Sequence, residues 1–304
     1  SRDHRRERDM ILGIDASNLR AGGGVTHLVE FLRAANPLVH EFDQVIVWSG
    51  AATLNKIEGR NWLRNEHDPL LDRALPFRVY WQRFKLAKLA KAAGCDVLFV
   101  PGGSDASGFR PMITMSQNLL PFEWREMLRY GLSWLCLKFV LLRFSQSRTF
   151  RKADGVIFLT QYARDAVLQV TGILPMKTAT IPHGVGPRFS CAPRPQKKLE
   201  AFNELNPCRI LYVSIVDVYK HQWHVAEAVA RLRTSGLPVT LDLVGPAYAP
   251  ALEQLNETLH RVDPEARFIR YRGAVPHEQL HGLYAAADIN VFASSCENMP
   301  NILL

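Results

Sequence analysis

Residues 209–245 read RILYVSIVDVYKHQWHVAEAVARLRTSGLPVTLDLVG. Arg209–Ser214 is a short, mostly apolar run, the signature of a buried strand. A polar loop, Ile215–His221, leads into Gln222–Thr234, which carries the helical period. Val239–Val244 is a second apolar run, ended by Gly245. Strand, helix and strand in this order form a βαβ unit, which implies a parallel sheet covered by helices.

The same alternation extends both ways. Toward the C-terminus come a helix at Ala249–Val262, a strand at Arg267–Tyr271, a helix at His277–Ala287 and a strand at Ile289–Ala293. Asn301–Leu304 reads as the start of another helix, with no stop signal. Toward the N-terminus, strands are expected at Met10–Asp15, Gln44–Trp48, Asp96–Val100, Met112–Ser116, Gly155–Leu159 and Thr178–Ile181. Helices are expected at Val25–Ala35, Phe84–Ala93 and Gln161–Val170, with a long basic helix after Ser116. Prolines crowd Pro182–Pro207 and interrupt the rhythm. The expected architecture is therefore α/β, with two Rossmann-like doubly wound domains. The first spans 10–190, a linker spans 191–206, and the second spans 207–304 and is expected to be incomplete. The first nine residues, SRDHRRERD, read as a tail or an upstream extension.

The chain has 304 residues, long enough for two domains with their own cores. Hydrophobic residues make up 47% and charged residues 22%, an ordinary globular balance. The five cysteines, Cys95, Cys136, Cys191, Cys208 and Cys296, are odd in number and lack a Cys-x-x-Cys pair. That argues against a disulfide framework or a zinc site and fits a reducing compartment, so a cytoplasmic location is expected. No apolar run reaches transmembrane length, and no secretory signal is expected. The formal net charge is +8. Much of the excess lies in 122–152, where Arg125, Arg129, Lys138, Arg143, Arg148, Arg151 and Lys152 interleave with Trp124, Leu128, Trp134, Leu135, Phe139, Leu142 and Phe144. Such a segment suits the inner face of an anionic membrane, or equally a core helix with a solvated basic side. No nucleic-acid motif accompanies it.

Ligands in doubly wound sheets bind beyond the carboxyl ends of the strands. Two facing domains of this kind would enclose a cleft there. Three loops qualify. Gly22-Gly23-Gly24 precedes the first helix, and glycines at a helix N-terminus let a phosphate approach the backbone. Its spacing is not the Gly-x-Gly-x-x-Gly dinucleotide fingerprint. Lys220 stands just before the helix at Gln222, where a cation and a helix N-terminus together suit a diphosphate. Asp217 is placed to cap or orient that turn. The third loop is Ser294-Ser295-Cys296-Glu297-Asn298-Met299-Pro300-Asn301. Glu297 there can accept hydrogen bonds from sugar hydroxyls, and the following amides can meet phosphate. Each loop also has a plain reading, as a turn, a solvated lysine or a helix-capping acid.

At these residues the sequence resembles glycosyltransferase family four, a retaining family with the GT-B fold. The resemblance runs from Met10 and is strongest from Arg209 to Leu304. The string FASSCENMPNILL carries the first half of the family's motif, a Glu, seven residues and a second Glu. Glu297 matches the first, and the second would be residue 305. The resemblance implies that Glu297 lies near the donor sugar and that Lys220 neutralises the leaving diphosphate. It implies that Ser294 supports the acidic loop and that Asn298, Met299, Pro300 and Asn301 complete the donor site. The Gly22–Gly24 loop would close over donor phosphate or acceptor. Asp288 matches a position read as structural.

Two departures accompany it. Many members carry an Arg five or six residues before the Lys, where this chain has Ile215 and Ser214. Charge neutralisation then falls on Lys220 and helix dipoles, or on another cation. A His often follows the strand corresponding to Met112–Ser116, where this chain has Gln117-Asn118. Gln117 cannot exchange protons at neutral pH, so both residues are assigned to positioning on the acceptor side.

The expected reaction moves a sugar from a UDP- or GDP-linked donor to an acceptor hydroxyl, with retention, in cell-envelope or exopolysaccharide synthesis. Its acceptor would be a glycan or a lipid-linked glycan. No metal or resident cofactor is expected, the nucleoside diphosphate sugar being a co-substrate. No paired carboxylates suit a double displacement. His183 is expected to be an ordinary turn histidine. Two other readings stay open: a sugar-nucleotide epimerase, which needs no acceptor, and a non-catalytic sugar-nucleotide-binding subunit, favoured by the absent Arg. A nicotinamide-dependent dehydrogenase is disfavoured by the glycine spacing.

Overall fold

A computed structural model describes residues 9–190, 192 and 194–303. Most of the expected N-terminal tail, Cys191 and Leu304 lie outside the described residues. The chain divides into two units. The first comprises the residues through Trp124 together with Leu132–His183, and the second Arg125–Gly131 together with Gly184 onward. The change of unit at 183/184 precedes the linker expected at 191–206. The short insertion 125–131 was not expected at all.

In the first unit, strands β1 (Ile11–Asp15), β2 (Gln44–Ser49), β3 (Leu63–His67), β4 (Val97–Val100), β5 (Met112–Ser116), β6 (Gly155–Phe158) and β7 (Lys177–Thr180) form one parallel sheet. Its order is β3-β2-β1-β4-β5-β6-β7. Helices α1 (Gly23–Ala34) and α2 (Ala51–Leu54) join the first three strands. Ile14, Leu28, Leu32, Val45, Val47, Leu54 and Ile57 pack there into one core. Helices α3 (Leu75–Trp81) and α4 (Ala87–Ala92), continuous through a wider turn at Gln82–Leu86, lead back to β4. The expected helix at Phe84–Ala93 is thus the last half of a longer one. β3 was not expected, because LRNEH has no apolar alternation. As an edge strand it needs only one paired side.

The single basic helix expected over 122–152 is two helices. Gly131, at φ 58°, takes a left-handed conformation between α5 (Trp124–Leu128) and α6 (Trp134–Lys152). Ser133 then caps α6, its Oγ accepting from the Cys136 amide at 3.1 Å. The C-terminal half of α6 is buried through Gln146, Ser147, Thr149 and Phe150, while Trp134, Leu137, Leu141 and Phe144 are exposed. Helix α7 (Gln161–Thr171) completes the unit.

The second unit has a four-stranded parallel sheet, β10-β9-β8-β11. Its elements are β8 (Cys208–Val213), α8 (Gln222–Thr234), β9 (Val239–Val244), α9 (Ala249–Val262), β10 (Ile269–Tyr271), α10 (His277–Ala286) and β11 (Ile289–Asn290). The expected strand Ile289–Ala293 is cut to two residues. Beyond them the Val291 amide still reaches the Leu211 carbonyl at 2.9 Å, and the Ala293 amide turns to the Tyr212 hydroxyl at 3.3 Å. Tyr212, Trp223, Val229, Leu241, Leu243 and Leu255 form the main core. Gly245 sits at φ 144°, and a Cβ there would overlap the Ser214 carbonyl, so the end of β9 admits no side chain. Cys95, Cys208 and Cys296 are buried and Cys136 half-buried.

Candidate functional site

In the second sheet the chain runs outward from β8 to β9 to β10, then returns to place β11 on the other side of β8. The direction of winding therefore reverses between β8 and β11, which makes their carboxyl ends the crevice of the fold. The two loops that leave those ends are Ser214–His221 and Val291–Pro300. They carry Lys220 and Glu297 respectively.

The structure brings these two residues together across 77 positions. The Lys220 ammonium donates to Glu297 Oε1 in an ion pair. Lys220 is 6% exposed, so burial sharpens the pairing. Ser294 Oγ donates to the same carboxylate oxygen at 2.6 Å. The Lys220 ammonium also lies 4.8 Å from the Tyr219 ring centre and 5.0 Å from that of Phe292. These faces stabilise a cation where little water reaches it.

Tyr212, on β8, ties the loops to the sheet. Its hydroxyl donates to the Lys220 carbonyl at 2.6 Å and accepts from the Ala293 amide. Ser295 joins the loops a second time, its amide donating to the Tyr219 carbonyl at 2.9 Å. Asp217 orients the turn as expected, accepting from the Val218 amide at 2.7 Å. It also accepts from the buried Tyr130 hydroxyl at 2.9 Å. Burial raises the Asp217 carboxyl above its ordinary range, opposed by those two hydrogen bonds and by Lys220. Burial likewise pushes the Tyr130, Tyr212 and Tyr219 phenols well up, so they remain hydrogen-bond donors at neutral pH.

His221 precedes α8 at φ 56°, and no side chain caps the helix. The His224 and Val225 amides close on the His221 carbonyl, and the positive end of the helix dipole lies where α8 leaves the Ser214–His221 loop. His221 Nε2 lies 2.9 Å from Ser295 Oγ, and that hydroxyl donates to Glu126 Oε2 at 2.6 Å. The neutral imidazole therefore carries its proton on Nε2. Burial, then Arg129 and His224, hold its basicity below the usual range, with Glu126 opposing.

Of the other donor-side residues, Asn298 is buried, Met299 and Pro300 are half-buried, and Asn301 is exposed at the head of a short turn ending at Leu303. Asp288 is structural: it accepts from the Arg209 amide at 3.0 Å and from Arg194 at 3.2 Å. At the far end of α8, Arg231, Arg233, Arg261 and Phe268 line a cavity of about 510 Å³. Arg233 and Arg261 are already paired there with Glu204 and Glu227.

In the first unit the winding reverses between β1 and β4. The Gly22–Gly24 loop follows β1, with Gly22 at φ 74° and α1 beginning at Gly23, two residues earlier than expected. A Cβ on Gly24 would stand 3.1 Å from Gln117 Oε1, so two expected site elements meet here. Gln117 Nε2 reaches the Met115 sulfur at 3.4 Å, and Asn118 Oδ1 accepts from the Leu120 amide. Asn118 is thus held in a local turn. Asp15, unremarked in the sequence, lies buried at the end of β1 and accepts from Gln82 and the Ser17 amide. Burial raises its carboxyl. His183 is more than a turn residue, packing against His27 of α1 with ring centres 4.4 Å apart. Burial, then His183, lowers His27 to about 4.

Among the described residues, no group of three or more His, Cys, Asp or Glu side chains is disposed to hold a metal ion. No helix there is long and apolar enough to cross a membrane.

Reading the sequence assigned no role to Asp15, Glu126, Tyr130, Tyr212, Tyr219 and Phe292, nor to His221 and Ser295 inside the expected loops. All but Glu126 and Tyr130 lie in an expected loop or in the strand that leads into one, and so carried a local signal.

Comparison with known proteins identifies the family and the fold. A family model described as Glycosyltransferase Family 4 matches residues 21–189. A second, described as Glycosyl transferases group 1, matches residues 207–304. Among curated proteins, no sequence match is found. Among solved structures, the Anabaena protein HepE in complex with UDP and glucose is 18% identical, with TM-score 0.63 over 96% of this chain and 77% of that one. Sucrose-phosphate synthase from Thermosynechococcus elongatus is 16% identical, with TM-score 0.69 over 96% and 77%. WaaG, a glycosyltransferase of lipopolysaccharide biosynthesis, is 14% identical, with TM-score 0.63 over 97% and 77%.

Proposed function

Because the chain belongs to glycosyltransferase family 4 and has the GT-B fold, we propose that the loops joined by Lys220 and Glu297 bind a nucleoside diphosphate sugar for transfer to an acceptor hydroxyl with retention. The transferase class follows from the family; donor, acceptor and stereochemistry are this reading's own. Its main support is the ion pair of buried Lys220 with half-buried Glu297 at the winding reversal of the second sheet.

The pair holds a cation and a carboxylate where an entering donor needs one of each. The diphosphate takes Lys220 and the N-terminal end of α8. Glu297, still held by Ser294, turns its free acceptor capacity to sugar hydroxyls. As the bond from the anomeric carbon to the diphosphate oxygen breaks, negative charge grows on the diphosphate. Lys220 and the helix end stabilise it. The acceptor oxygen forms its bond on the same face, and its proton passes to the departing phosphate. No metal is assigned a role. UDP is the first donor base to test, since the similar HepE is seen with UDP. A glycan or lipid-linked acceptor fits contact of 122–152 with the inner face of an anionic membrane. Envelope or exopolysaccharide synthesis is the corresponding setting.

The test is nucleotide release from a panel of UDP- and GDP-sugars in the presence of envelope extract. Release from one donor is expected to require extract and to fall about 100-fold or more in Lys220→Ala. Glu297→Ala is expected to lose most of it too. Conversion of the donor without acceptor would replace this reading with an epimerase. Nucleotide binding with no turnover of any donor would replace it with a binding subunit.

A further inference from the structure

Lys220 cannot supply the whole countercharge of a diphosphate, since the ion pair with Glu297 leaves the two loops with no net positive charge. The residues before it add none: Ile215 and Ser214 are uncharged, and Asp217 is an acid. A leaving diphosphate carries more than one negative charge, so the crevice calls for a second cation.

The segment Arg125–Gly131 brings one, because its two arginines, Arg125 and Arg129, outnumber its single acid, Glu126, with which Arg129 is paired. It folds with the second unit. Met127 is fully buried, Glu126 is 8% exposed, and Tyr130 anchors on Asp217 at 2.9 Å while its ring lies 5.8 Å from that of Tyr248. Glu126 receives the Ser295 hydroxyl at 2.6 Å, and Ser295 is 2.9 Å from His221. The segment thus grips both donor loops, through Asp217 on one and Ser295 on the other. Arg129 lies among these anchors yet is exposed. Its Nε donates to Glu126 Oε2 at 2.7 Å, and its hydrogen bonds among the described residues use Nε alone. The two terminal nitrogens keep their donors. Three hydrogen bonds, through Glu126 and Ser295, link this guanidinium to His221, the residue that opens α8.

We propose that Arg129 is the second cation of the donor site, delivered by the Arg125–Gly131 segment to the diphosphate at the start of α8. The inference rests on the donor-site reading above and adds to it a residue from a distant part of the sequence. A planar guanidinium held at Nε presents its outer nitrogens to two phosphate oxygens at once. Glu126 acts here as a positioning residue, fixing the guanidinium through Nε.

The inference is tested by titrating the full-length protein with UDP and uridine, and with GDP and guanosine, using wild type, Arg129→Gln and Arg129→Lys. Arg129→Gln is expected to bind the preferred diphosphate about 10- to 100-fold more weakly. Its affinity for the matching nucleoside should be unchanged, and Arg129→Lys should recover part of the loss. Unchanged diphosphate affinity in Arg129→Gln would overturn the inference, as would equal weakening toward diphosphate and nucleoside, which would mark Arg129 as merely structural. Failure of wild type to bind either diphosphate would instead remove the donor-site reading itself.

Discussion

The Lys220 ammonium is stabilised from every side: by Glu297, by the faces of Tyr219 and Phe292, and by a backbone that Tyr212 fixes. Removing Lys220 leaves the half-buried Glu297 carboxylate uncompensated, which costs about 1–3 kcal/mol. Lys220→Met is therefore expected to lower thermal stability as well as activity, whereas the double variant Lys220→Met, Glu297→Leu should regain stability without regaining turnover. Differential scanning calorimetry beside the release assay separates the two effects. The His27–His183 contact makes a pH prediction. His27 titrates near 4 in the fold, against an ordinary value of 6.5. Between these values the unfolded chain binds more protons, so stability is lost as pH falls through that window. Allowing for partial solvent screening, His27→Phe should remove roughly 1–2 kcal/mol of this loss, read as a flatter melting profile from pH 6.5 to 4.5. An unchanged slope would place the dependence elsewhere.

At the level of elements, the decisive feature is the break between α5 and α6. Gly131 reverses the backbone and Ser133 restarts it, so seven residues embedded in the first half of the sequence can pack with the second unit. Ser133→Ala removes an N-cap and should cost about 1 kcal/mol. Gly131→Val, at a positive φ, should cost more and disturb the seating of Tyr130. Chemical denaturation measures the first. Loss of Tyr130 protection from iodination in the variant would report the second. The alternation of strands and helices was legible from periodicity alone, because each core strand is a compact apolar run. The β3 strand was not, since LRNEH pairs along one edge by backbone hydrogen bonds that any residue can make. Nor was the break at Gly131, because cations and aromatics continue across it.

At the scale of the whole molecule, the proposed membrane contact draws on the charge of +8 and on the exposed side of α6. Trp134 and Phe144 are 76% and 69% exposed, beside Lys138 and Arg148. Exposed aromatics among cations suit an interfacial surface. Trp134→Ser with Phe144→Ser is expected to weaken cosedimentation with vesicles of anionic phospholipid about tenfold or more. Neutral vesicles should bind poorly even the wild type, and high salt should release the protein. Binding that ignores lipid charge would count against this surface.

The sequence by itself determined the alternation of core strands and helices, the candidate loops beyond those strands, and the places of Lys220 and Glu297 in them. These are set by local pattern: the period of apolar residues, and the position of a charged residue just past a strand. Tertiary structure alone decided that Lys220 meets Glu297 across 77 positions, Tyr130 meets Asp217 across 87, and Ser295 meets Glu126 across 169. Such pairs leave no trace in periodicity, because each partner satisfies its own local pattern equally well without the other. They exist because the order of parallel strands brings the carboxyl ends of β8 and β11 side by side, and because a turn at Gly131 lets a distant segment reach them.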